Sequence, residues 1–216
     1  GVGIDPTNPA TYLNNLAKSG TYVPGGSNSS SNNGSSSTNS KVNTWLSQQG
    51  IEVSTLAPKQ VSLMEGIYGR LGTPYKACRH SKGCDGYCYD SNNPSHLDAA
   101  TFIWRSFYDA DMKINALSCR DLVKDGHFSR VAWKARKPGD VLVTFGEKKA
   151  HAMFYLKDKG NTLTVAEATA GKESKVTDLA RGTTIYANKS GSKNTVHYGK
   201  KGGKKYVLLR YNGITN

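Results

Sequence analysis

Residues 97–108, LDAATFIWRSFY, set Phe102, Ile103 and Phe107, with Trp104, at helical spacing and predict an amphipathic helix from Leu97 to about Asp109. Ser95 and Asp98 read as a capping pair at its start. Upstream, Val42, Trp45 and Leu46 mark a short helix, and Val61, Met64, Ile67, Tyr68 and Leu71 share one face of a longer one with Pro58 in its first turn. Beyond Pro138-Gly139-Asp140 the pattern changes. VLVTF (141–145), AHAMFYL (150–156), NTLTVAEA (161–168) and YVLLRY (206–211) are short apolar runs between Gly- and Lys-rich turns, the signature of strands. Helices first and strands afterwards predict an α+β domain, with N-terminal helices packed on a central antiparallel β-sheet.

Residues 27–40, SNSSSNNGSSSTNS, bury nothing apolar and read as a linker. Residues 1–26 are then an N-terminal extension. Tyr12, Leu13, Leu16 and Ala17 fall near helical spacing there, which reads either as the last helix of a preceding domain or as a tail with incidental periodicity. Residues 41–216 form the domain proper. No run approaches the roughly eighteen apolar residues that a membrane-spanning helix needs, and no charged segment with an apolar core follows Gly1. A monomer is expected.

The chain carries a formal charge of +13, and residues 61–216 hold 26 Lys or Arg against 14 acids. No Asp or Glu follows Asp178, whereas Arg181, Lys189, Lys193, Lys200, Lys201, Lys204, Lys205 and Arg210 do. An anionic partner or a plain solvated basic face would each produce this pattern. Cys78, Cys84 and Cys88 crowd together, with Cys119 apart. Disulfides fit this even number outside the cell, in any of three connectivities. A zinc site that includes His80 is the alternative, although the paired CxxC form is missing.

Three segments in order carry a family resemblance. RLGTPY (70–75), LDAATFIWRSFY and KPGDVLVTF followed by AHAMFYL resemble the LGTPY opening, the DCSGF helix and the PGD and histidine strands of NlpC/P60 cell-wall cysteine endopeptidases. The resemblance covers about residues 59–170. It implies a papain-like α+β fold and hydrolysis of an amide bond in the peptide stem of peptidoglycan, by thiolate attack, without a cofactor or metal. By the same resemblance Ala99 occupies the nucleophile position, which is cysteine in an active form. His151 is the general base, and Glu167, where many members have histidine, orients it. Tyr75 would assist the oxyanion, and Asp98 would recognise substrate or cap the helix.

A thiol at position 99 would ionise readily at a helix N-terminus. A methyl group has no lone pair with which to attack. Ala99 is therefore either an inactivating substitution, favoured because the other site positions are in place, or the mark of a natural pseudoenzyme. The insertion KACRHSKGCDGYCYDSNNPSH (76–96) departs from the family, and its Cys84 and Cys88 are weaker rival nucleophiles because no apolar helical run follows them. The sequence reading is thus a secreted or cell-surface peptidoglycan hydrolase, inert with Ala99. The alternative is a non-catalytic wall-binding module. Peptidoglycan is the implied partner in both, with anionic wall polymers on the basic C-terminal surface; nucleic acid rests on charge alone.

Overall fold

A computed structural model describes residues 39–77, 94–171, 173–187, 194–198 and 203–214. The N-terminal extension, the linker up to residue 38, and Cys78, His80, Cys84 and Cys88 lie outside the described residues, as do Lys189, Lys193, Lys200 and Lys201. The helices are α1 (Ser40–Gln48), α2 (Pro58–Arg70), α3 (Ala99–Asp109) and the single turn α4 (Cys119–Leu122). The strands are β1 (Phe128–Val131), β2 (Val141–Thr144), β3 (Ala152–Asp158), β4 (Thr162–Glu167), β5 (Lys175–Ala187), β6 (Asn194–Tyr198) and β7 (Lys204–Tyr211). The domain is α+β, and every pairing between these strands is antiparallel.

The predicted sheet is curled into a ring. One edge of β7 pairs with β2, while its other edge is shared, Lys204–Val207 pairing with β6 and Leu208–Tyr211 with β1. That sharing closes β2-β3-β4-β5-β6-β7 into a barrel and leaves β1 as a short flap. Side-chain alternation then makes two cores. Leu142, Met153, Tyr155, Leu163, Val165, Tyr206 and Leu208 fill the inside with Trp133, whereas Val141, Val143, Ala152, Phe154, Leu156, Val207 and Leu209 face the helices.

Helix starts follow local chemistry. Asn39 caps α1 by accepting from the Lys41 amide at 2.8 Å, so the last two residues of the predicted linker belong to the domain. Pro58 opens α2, as predicted, and the Gln60 side chain accepts the Ala57 amide at 2.8 Å. The buried face of α2 differs from the predicted one. Leu63, Met64 and Ile67 are fully buried, whereas Val61, Tyr68 and Leu71 are only half-buried. Helix α3 begins at Ala99 rather than Leu97, because Leu97 is held in a parallel bridge to Tyr75. Its cap is Asp98 with Thr101, which bond each other's amides at 2.9 and 2.8 Å; exposed Ser95 meets His96 instead.

The PGD segment is a turn with a structural purpose. Gly139 adopts φ +93°, a conformation that disfavours a side chain, and a Cβ there would press on Leu63 at 3.0 Å. Asp140 accepts the Lys137 amide and both Nε and Nη2 of Arg210, tying the start of β2 to β7. Between the helices, the Gly66 backbone lies against the Ser106 carbonyl with no room for a Cβ. Beside this crossing, Arg70 donates from Nε and Nη2 to Asp109 at 2.7 and 3.0 Å, with both side chains buried.

Two stability predictions follow from this crossing. Gly66→Ala should force α2 and α3 apart and cost about 1–3 kcal/mol in urea unfolding. Asp109→Ala should cost more, about 3–5 kcal/mol, because it strands the buried Arg70 guanidinium. Unchanged unfolding midpoints in both variants would contradict the packing described.

Candidate active site

Helix α3 is seated on β3 by rings. Phe102 meets Phe154 edge-on at 5.7 Å between centroids, and Phe107 lies tilted against Phe154 at 5.7 Å. Phe102 and Phe107 thus both rest on β3, and the pairing of Leu97 with Tyr75 fixes the strand-like entry to the helix just before Ala99. Ala99, Ala152, Ala166 and Ala168 belong to the same buried core, with Ala150 packed against it.

His151 is held on both sides. Its amide donates to Thr144 Oγ1 at 2.9 Å and the Thr144 amide donates to its carbonyl at 3.0 Å, closing the β2–β3 hairpin at the histidine. Its ring Nε2 lies 2.6 Å from Glu167 Oε2 at the end of β4, with both side chains largely buried. Against a charged carboxylate Nε2 must carry the proton, which leaves Nδ1 as the basic nitrogen. Burial pushes the Glu167 carboxyl up, but the hydrogen bond and charge of His151, with Lys175 adding to them, outweigh it and hold the carboxyl below its ordinary range.

Tyr75 flanks the start of α3 through its bridge to Leu97, with the Lys76 amide donating to the Leu97 carbonyl at 3.2 Å. Burial raises its phenol, and the Asp98 carboxylate and Cys119 raise it further, so the hydroxyl stays protonated and able to donate. Asp98 spends one carboxylate oxygen on the amide and hydroxyl of Thr101, as a helix cap does.

Nothing local in the sequence marks Cys119 or Tyr206 as belonging to this place. Cys119 begins α4 and interacts with Asp98 and Tyr75, while Tyr206 of β7 interacts with Glu167 and Cys119. These couplings link the Tyr75–Asp98 side of the site to the His151–Glu167 side. Cys119 is a free thiol, but burial and then Asp98 push its pKa up to about 12. A thiol so raised is not a nucleophile at neutral pH. Among the described residues no cluster of three His, Cys, Asp or Glu side chains could hold a metal ion, and no helix is long and apolar enough to cross a membrane.

Because the folded Glu167 carboxyl is held low, it adds stability that is present above its unfolded value near 4.3 and lost as pH falls through the lower folded value. The stability lead of the parent chain over Glu167→Gln should therefore be full at pH 7 and shrink below about pH 4. Urea unfolding across that range checks it, and a constant lead would remove the ionised pair.

Among known proteins, no family model matches this chain, and no curated sequence matches it.

Proposed function

We propose that this chain is the scaffold of a papain-like cysteine hydrolase of the NlpC/P60 type, acting outside the cell on an amide bond of the peptidoglycan stem and lacking only its nucleophile. The observation that carries this reading is the 2.6 Å contact of His151 Nε2 with Glu167, which the interactions of Tyr206 and Cys119 link to Asp98 at the start of α3. A base oriented by a third group beside a helix N-terminus is the arrangement that thiol catalysis needs. The rest of the reading comes from the resemblance of its three segments.

With cysteine at position 99, His151 Nδ1 would take the thiol proton and the thiolate would attack the carbonyl carbon. The residue 99 amide and the Tyr75 hydroxyl would bind the oxyanion. As the tetrahedral species collapses, the imidazolium gives its proton to the leaving amine and a thioester remains. Water, deprotonated by the same imidazole, then attacks the thioester, restoring the thiol and releasing the carboxylate product. Glu167 would keep the ring in the one tautomer and stabilise its cation throughout.

Ala99 itself favours a second reading, a wall-binding module that uses the same groove without turnover. The substitution Ala99→Cys separates the two. It should create release of stem peptides from purified peptidoglycan, abolished by thiol alkylation and by a further His151→Ala change. Glu167→Gln in that background should reduce the gained rate less than His151→Ala does and should alter its pH profile. The new thiol should titrate below the ordinary value near 8.5. A folded Ala99→Cys protein with neither hydrolysis nor a lowered thiol pKa would leave the binding module as the function.

A further inference from the structure

The hairpin loop that Thr144 and His151 close, residues 145–150, carries an unusual surface. Phe145 is 38% exposed and is the one exposed aromatic ring among residues whose side chains are described. The Arg130 guanidinium of β1 lies over it at 4.5 Å and the Lys205 ammonium of β7 at 5.4 Å from the ring centre. Lys148 and Lys149 follow in the same loop, both exposed. Arg120 of α4 donates to the Lys148 carbonyl at 2.7 Å, which brings a fifth cation to the loop. Glu147 is the single acid in the loop, and it is engaged by the Lys205 amide at 2.8 Å.

Five cations from four segments around one acid repel each other, and a folded surface holds them together at a cost unless an anion is met there. The chemistry of the cluster also selects among anions. Arg130 and Lys205 meet on Phe145 while Lys148 and Lys149 stand exposed in the same loop, and Lys side chains act as point charges that follow a phosphate chain without reading its units. The exposed part of Phe145 offers an apolar contact for the carbon skeleton of a sugar or polyol. It is a poor platform for nucleic acid, whose bases stack on successive aromatic rings.

We propose that this lip binds the phosphodiester chain of an anionic wall glycopolymer, and so holds the domain on the wall with His151 at the edge of the contact. The wall as partner rests on the function proposed above; the cation cluster does not. The chain can be tested as it stands, with alanine at position 99, by cosedimentation with purified sacculi that keep their phosphodiester polymers and with the same sacculi stripped of them. Intact sacculi should bind about tenfold or more tightly than stripped ones, with the difference vanishing as salt shortens the screening length below about 8 Å. Two variants, Lys148→Glu with Lys149→Glu and Arg130→Gln with Lys205→Gln, should each lose most of this difference, and thermal melts confirm that each is folded. The loop pair is fully exposed, so it remains a test even if the strand pair unfolds. Equal binding to both preparations, or loss of the difference in neither folded variant, overturns the proposal. Tighter binding of a DNA oligomer than of the soluble phosphodiester polymer overturns it in favour of nucleic acid. Polymer-dependent binding together with an inert Ala99→Cys protein would sink the hydrolase reading alone.

Discussion

Helices α2 and α3 meet backbone to backbone where Gly66 lies on the Ser106 carbonyl, and the placement of the site depends on that contact. A close crossing leaves no side-chain layer that could slide, and the buried Arg70–Asp109 fork removes the remaining freedom to rotate. The fork would be an expensive way to gain stability alone, since desolvating two charges largely cancels their attraction. Its value is directional: it fixes how α3 crosses α2, and α3 in turn rests on β3 through Phe102 and Phe107 against Phe154.

The barrel supplies the other half by a different physical route. The β2–β3 hairpin is closed by two hydrogen bonds between Thr144 and His151, so the histidine backbone is anchored to the end of β2 immediately before β3 begins. Glu167 sits at the end of β4, the neighbouring strand, within a side-chain length across the ladder. Neither residue therefore depends on loop conformation for its place. The branching of β7 between β1 and β6 closes the ring that keeps β3 and β4 in register.

What was legible in the sequence divides along these same lines. Helices were readable because Pro58 and the periodic Trp45, Leu46, Phe102 and Phe107 act locally, and β2, β3, β4 and β7 because their apolar runs are dense. Strands β1, β5 and β6 have no clear local mark, since FSRV, KVTDLARGTTIYA and NTVHY interleave polar with apolar residues and gain their pairing from neighbours. The burial of Leu63 in place of Val61 and the closure of the sheet into a barrel are tertiary outcomes with no local mark. In the site, the motifs singled out Asp98, Ala99, His151 and Glu167. Cys119 and Tyr206 were silent, because a turn of helix and a barrel-lining tyrosine look ordinary until the fold brings them to the same rim.

The contrast between position 99 and Cys119 shows how little of a thiol site is the thiol. Cys119 has sulfur in the neighbourhood, yet burial and the Asp98 carboxylate keep it protonated. Position 99 has the helix start, a neighbouring phenol able to donate and a base held by a carboxylate nearby, yet no sulfur. Ionisation is set by surroundings, so the environment that would activate a thiolate belongs to the fold and survives loss of the residue. A partly buried imidazole–carboxylate pair is costly to maintain for surface recognition alone, because each group gives up hydration that only an ordered geometry restores. Under the proposed hydrolase reading that cost finds its use in turnover, and Ala99 is then the departure from the pattern.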